Sequence, residues 1–211
     1  MQISIYISGP HGSGKTTLIN NLLNNNSLFT ENDFDINFFH DFPSMEVMNA
    51  FERCLVRLYH RIYTAIYTKD QCKIENESSN SIQKVLLVSR SIYDSVAYSQ
   101  TEFLLSQMTN KEHDILKSIE TNALNIVEPY TIILNPPVDV ILSHLAKRKK
   151  YNERADRELL CSREDTYQYV KLVHDAFVQF KNNQNVLYIT DNDDLSIKII
   201  LEWIENLFDK L

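Results

Sequence analysis

The segment Gly9-Pro10-His11-Gly12-Ser13-Gly14-Lys15-Thr16 follows the pattern GxxxxGK[ST] in full. Residues of these types at this spacing can hold the phosphates of a nucleotide. Glycines let the backbone curl so that its N–H groups point inward, and a helix beginning after the loop aims its positive dipole end at the same anion. Lys15 would reach the β- and γ-phosphates, and the Thr16 hydroxyl would ligate the magnesium ion that bridges them. Gly9, His11, Gly12, Ser13, Gly14, Lys15, Thr16 and Thr17 are thus the expected nucleotide-binding residues, with Thr16 the expected metal ligand. The chain has only 3 glycines and all lie in this loop, so a chance match within glycine-rich sequence is a poor account.

Arg90 directly follows the apolar run Val85 to Val88. A guanidinium there can fork onto an acceptor or transferred phosphate and offset charge in the transition state; a buried ion pair is the alternative. Asp41 follows the short apolar segment Ile36 to Phe39. An acid at that place can hold an acceptor hydroxyl in line or position an acceptor phosphate, or it can cap a helix ahead of Met45. Lys147, Arg148, Lys149, Lys150, Arg154 and Arg157 form a dense basic run in an otherwise acidic chain. Such a run can close over a nucleotide as a lid at about 146–160, with Arg148 near the nucleotide and Arg154 and Arg157 near the transferred group. It can equally be a solvated helix face. Arg53, Arg57 and Arg61 recur at i, i+4 spacing, as do Tyr59, Tyr63 and Tyr67; packing is expected of these residues, except Arg53.

These groups need elements to position them. Gln2 to Ser8 reads as a strand that stops at Gly9, with a helix from Thr16 to Leu23 beyond the loop. The Asn-rich stretch from Asn20 to Asn26 reads as helix end and loop. Ile36 to Phe39 is a second strand candidate, and Val85 to Val88, Tyr130 to Leu134 and Val186 to Ile189 are apolar runs of the kind a sheet covers on both faces. Met48, Phe51, Leu55, Leu58, Ile62 and Ile66 place one apolar face on a helix from Met45 to about Tyr67. Residues 69–83 are polar and read as a loop. Further helical periodicity falls at about 92–107, 111–127, 138–149, 158–181 and 195–210. Strands alternating with helices predict an open parallel sheet with helices on both faces. Ligands bind beyond the carboxyl ends of such strands, where Gly9, Asp41, Arg90 and Asn135 would meet.

A length of 211 residues suits a single domain. The formal net charge of -7 argues against a general nucleic-acid or anionic-membrane surface. No stretch is long and apolar enough to cross a membrane and the N-terminus has no basic leader, so a cytoplasmic protein is expected. Cys54, Cys72 and Cys161 lie far apart without a CxxC pair and read as reduced thiols. The 6 histidines show no metal or triad spacing. No NKxD segment for guanine is present, which favours ATP over GTP.

Two related families are similar to this chain over most of its length. Arg90 to Tyr93 resembles the ERSIY segment of deoxynucleoside kinases. Arg90 with Ser95, Ala97 and Tyr98 resembles the DRY..SSxAYQ segment of thymidylate kinases, Leu134 to Val140 their LDVPPEVA turn, and Asp156-Arg157-Glu158 their DRxE lid. His40-Asp41-Phe42-Pro43 loosely resembles the segment that follows the second strand in both. The resemblance implies the three-layer P-loop NTPase fold with a five-stranded parallel sheet, and ATP and Mg2+ as cofactors. It implies phosphoryl transfer to a nucleoside monophosphate or, alternatively, to a nucleoside 5′-hydroxyl. A non-catalytic ATP-binding regulator is the reading from another class. Lys15, Asp41, Arg90, Arg154 and Arg157 would be catalytic, and Asp41, Arg53, Arg90, Ser95 and Tyr98 would bind the acceptor. A homodimer packed through the long helices is also implied. Ser89 stands where both families carry an acid, and Ser99 where thymidylate kinases carry Gln.

Overall fold

The computed structural model describes residues 1–32, 47–78, 82–127, 129–151 and 162–210. Its centre is a parallel sheet built from β1 (Gln2–Ser8), β2 (Phe29–Glu31), β3 (Lys84–Ser89), β4 (Tyr130–Leu134) and β5 (Val186–Ile189), in the order β2-β3-β1-β4-β5. β1 occupies the middle because it is apolar on both sides. Ile3, Ile5 and Ile7 point to one face and Tyr6 to the other, as the two-residue period of a strand requires. Removing such side chains from water is worth roughly 1.5–3 kcal/mol apiece.

Two helical layers cover the faces. α1 (Lys15–Asn25) and α7 (Asp194–Phe208) pack Leu18, Ile19, Leu22, Ile200 and Ile204 on the face of Ile5 and Ile7, with Trp203 half-buried at the edge of that core. Trp203 lies edge-on to Tyr130 of β4, ring centroids 6.5 Å apart. The other face carries α2 (Ala50–Ser78), α3 (Ile92–Leu104) and α4 (Asn110–Val127), with α6 (Tyr167–Val178) beside α3. α5 (Val138–Lys150) follows β4 and packs Ile141 and Leu145 on Val170 of α6.

Three sequence expectations change. α2 continues through the polar stretch after Tyr67 to Ser78, because Lys, Gln and Glu are good helix formers and Thr68 and Cys72 remain buried beneath it. Its start is fixed by a reciprocal cap in which Glu52 N–H donates to Asn49 Oδ1 and Asn49 N–H to Glu52 Oε2. Its buried seam runs Ala50, Cys54, Leu58, Arg61, Ala65, Thr68 and Cys72, whereas Tyr59, Tyr63 and Ile66 are about half exposed. Apolar spacing gave the helix, and Phe51, Leu55, Leu58 and Ile62 pack on the core as expected, whereas Ile66, Tyr59 and Tyr63 stay outside it. The helix expected at 158–181 is broken at Asp165–Thr166, where the Thr166 hydroxyl caps α6 by accepting from Tyr169 N–H. The strand expected at Ile36 to Phe39 lies outside the described residues; β2 is the described strand in that part of the chain.

Candidate functional site: the glycine loop and its cationic rim

The loop leaves β1 at Ser8 and enters α1 at Lys15. Gly9, Gly12 and Gly14 have φ of 141°, 79° and 100°, the region that side chains strain to occupy. At Gly9 space is also lacking, since a Cβ would fall 2.1 Å from the Leu134 carbonyl oxygen at the end of β4. The close approach of backbone to backbone seats the loop on the rim formed by the carboxyl ends of β1, β3 and β4. Arg90 N–H donates to the Ile7 carbonyl and Asn135 N–H to that of Ile189, so Gly9, Arg90 and Asn135 share that rim as expected.

Two histidines tie the loop to its surroundings, His11 from within it and His144 from outside. Tyr98 Oη accepts from the His11 backbone N–H at 2.9 Å and lies 3.1 Å from His11 Nδ1. With its hydroxyl hydrogen given to Nδ1, the ring hydrogen sits on Nε2, which donates to the Glu164 carbonyl at 3.0 Å and lies 3.3 Å from Asp165 Oδ1. His144 of α5 donates from Nδ1 to the Gly12 carbonyl at 2.8 Å. His144 carries no sequence signal, since a single helix-borne histidine has no spacing to betray it.

Lys15 is buried and folds back into the loop, donating to the carbonyls of Gly9 (2.8 Å) and Pro10 (2.6 Å) and to Ser13 Oγ (3.3 Å). Burial, and then the nearby Arg90, hold its ammonium well below the ordinary lysine value. Thr16 and Thr17 are exposed on the first turn of α1. Across from Lys15, Arg90 donates from Nη1 to Asp94 Oδ1 at 3.0 Å, and Arg61 of α2 donates to Ser95 Oγ at 2.6 Å. Arg61 is buried, which pulls its guanidinium down to about 10, with Asp94 acting the other way. Burial pushes the Asp94 carboxyl up, but Arg61, Arg90 and Lys15 outweigh it and hold it below the ordinary aspartate value. Lys15, Arg61 and Arg90 therefore face one described carboxylate, and Arg148, exposed at the end of α5, adds positive potential at Lys15. Such an excess in a partly enclosed site calls for a polyanion.

Arg53 of α2 turns away from this cluster toward Glu102, one turn beyond Tyr98 on α3. Its Nη2 lies 3.7 Å from Glu102 Oε1, which also accepts from Arg163 (2.7 Å) and Tyr169 (3.2 Å). Glu102 is 2 % exposed, and its Oε2 and the Nε atoms of Arg53 and Arg163 have no hydrogen-bond partner among the described residues. Ser99 donates to the buried Glu120. The structure thus brings together His11, Lys15, Arg90, Ser95 and Tyr98 from the sequence reading and adds Arg61, Asp94 and His144, which that reading had not singled out for function. Asp41, Arg154 and Arg157 lie outside the described residues.

Comparison with known proteins places this geometry. The model of the KAP family P-loop domain matches residues 1–209. No curated protein sequence matches the chain. Among solved structures, deoxyadenosine kinase from M. mycoides with products dCMP and a flexible dCDP bound aligns at a TM-score of 0.60 and 16% identity, covering 99% of this chain and 100% of that one. The same kinase with bound dATP aligns at 0.60 and 14% identity, covering 98% and 100%. The shared feature is the fold, a P-loop nucleoside-kinase-like sheet with helices on both faces.

Proposed function

This chain belongs to the KAP family of P-loop domains, and from that premise we propose that it transfers a phosphoryl group from ATP to a nucleoside monophosphate. The observation that carries the reading is the charge balance at the rim. Arg61 and Arg90 stand on α2 and at the end of β3, outside the loop; Arg90 donates to Asp94 and Arg61 to the neighbouring Ser95, and among the described residues Asp94 is the carboxylate whose charge offsets both. Their positive charge extends past the nucleotide cradle toward the acceptor side, where a phosphorylated acceptor would meet it. In the transfer, an acceptor phosphate oxygen forms the new P–O bond to the γ-phosphorus while the bond to the leaving ADP breaks. Arg90 and Lys15 would offset the charge that spreads over the phosphoryl oxygens.

Magnesium fits this site. The ion takes most of its ligands from phosphate oxygens and water, so the exposed Thr16 hydroxyl suffices to hold it at the loop, and among the described residues no cluster of three acidic or thiol or imidazole ligands competes. When bound, it would neutralise phosphate charge and orient the β- and γ-phosphates. Tyr98 and Ser95 along α3 would line the acceptor side, with Asp41, Arg154 and Arg157 completing the constellation in a single domain with a lid at about 146–160, whereas Arg53, expected to bind the acceptor, is turned to Glu102 instead. A second reading, transfer to the 5′-hydroxyl of a deoxynucleoside, is favoured by the fold-level likeness to deoxyadenosine kinases.

The test is product formation from ATP and Mg2+ over a panel of nucleosides and their monophosphates. Diphosphate products formed from monophosphates are expected. Monophosphates formed only from nucleosides would transfer the assignment to the second reading, and nucleotide binding without turnover on any acceptor would make the chain a regulator.

We also propose a cytoplasmic homodimer packed through α2, supported by the exposed stripe Tyr59, Tyr63 and Ile66. Light scattering coupled to size exclusion should give twice the 24.7 kDa chain mass, and Tyr63→Glu should return a monomer. A wild-type monomer at micromolar concentration would remove the dimer.

A further inference from the structure

Asp94 has no counterpart in the sequence reading, yet it is the most enclosed charged group of the rim, with no exposed surface. Its Oδ1 accepts from Arg90 Nη1 and its Oδ2 from Ser91 N–H at 2.9 Å. Ser91 Oγ lies 2.7 Å from Ser8 Oγ, at the residue from which the glycine loop departs. One carboxylate therefore grips Arg90 with one oxygen and, with the other, the residue bonded to the root of the loop. Arg90 itself has φ of 69°, a left-handed backbone that costs a side-chain-bearing residue free energy and persists only where its surroundings impose it.

Helix capping alone does not account for Asp94. Asp94 and Ser91 do form a reciprocal capping box, but a cap needs only an acceptor oxygen, and a neutral amide supplies one. A full charge without exposure is costly unless it is paired, and the partners that Asp94 meets, Arg90, Arg61 and Lys15, are the cations of the site. Ser89 leaves the end of β3 without an acid, so the carboxylate that reaches the rim comes from one turn into α3.

We propose that Asp94 is a positioning residue that aims Arg90 at the transferring phosphoryl group and couples that aim to the root of the phosphate loop. The proposal rests on the phosphoryl-transfer reading above. Its test is a double-mutant cycle of Asp94→Asn and Arg90→Ala, since the amide keeps an acceptor for the Ser91 N–H and removes the charge that holds Arg90. Asp94→Asn should lower kcat about tenfold or more with less than threefold change in the KM for ATP, and the double variant should be no slower than Arg90→Ala alone. Additive losses, or wild-type kcat in Asp94→Asn with only a lower Tm, would overturn the proposal. If the wild-type chain transfers no phosphoryl group, the functional reading fails by itself. The same cycle is then read in the affinity for ATP and Mg2+, where non-additivity upholds the Asp94–Arg90 coupling and additivity removes it.

Discussion

On the phosphoryl-transfer reading proposed above, Lys15→Ala should lower acceptor-dependent turnover by about 10³-fold, the scale set by removing one preorganised electrostatic stabiliser, while the protein stays as stable as the wild type or becomes more so. The two halves of this outcome have one cause. The ammonium is buried against the carbonyls of Gly9 and Pro10, and burial with Arg90 nearby makes its charged form unfavourable. The folded protein therefore holds this proton less tightly than the unfolded chain does. As pH rises through the depressed folded value, the native state releases the proton first and the unfolded state binds more protons, so wild-type stability increases relative to the variant until the ordinary value of 10.5. Thermal melts of both proteins from neutral to alkaline pH should show the stability gap closing in that direction. A gap that widens with pH, or a variant with more than a tenth of wild-type turnover, would contradict the assigned role.

Gly9→Ala should destabilise the fold by about 3 kcal/mol or more, through backbone strain combined with a steric clash in a packed region. Gly14→Ala should cost about 1–2 kcal/mol, the strain of a left-handed backbone alone. Both positions have positive φ, but the new Cβ at Gly9 meets the Leu134 carbonyl, a backbone atom held at the end of β4, whereas at Gly14 its nearest neighbour among the described residues is Asn192 Nδ2 at 3.5 Å. A domain holds only about 5–15 kcal/mol in total, so Gly9→Ala should unfold at a clearly lower urea midpoint. Equal midpoints for the two variants would mean that the rim relaxes where the structure shows contact.

The phosphate loop was fully legible in the sequence because its chemistry is local. Glycine, lysine and threonine must sit at fixed offsets in one turn between a strand and a helix, and both elements announced themselves by apolar pattern. Four strands of the sheet were legible for the same reason, since strands covered on both faces read as short apolar runs; β2, three residues long with two of them exposed, had no such run to announce it. What escaped depends on contacts between distant segments. Arg61 sits in a row with Arg53 and Arg57 and was expected to pack. It is buried, as packing requires, and what the row could not show is that α2 turns it inward to donate to Ser95, next to Asp94. Tyr59 and Tyr63, expected to pack as well, are carried outward by the same rotation. Asp94 looked like one more residue in a helix, and only the fold shows three cations around it.

Trp203 is the only tryptophan of the chain, and it packs at the edge of the α1 and α7 core beside Tyr130. The cationic rim faces α2 and α3, which cover the opposite side of the sheet. Intrinsic fluorescence excited at the indole band is therefore a single-site reporter of the integrity of one helical layer, uncrowded by the tyrosines of the acceptor side. A nucleotide that alters this emission without unfolding the chain must do so through the sheet, through α1 or through the segment at Asn192 that leads from the loop's edge into α7.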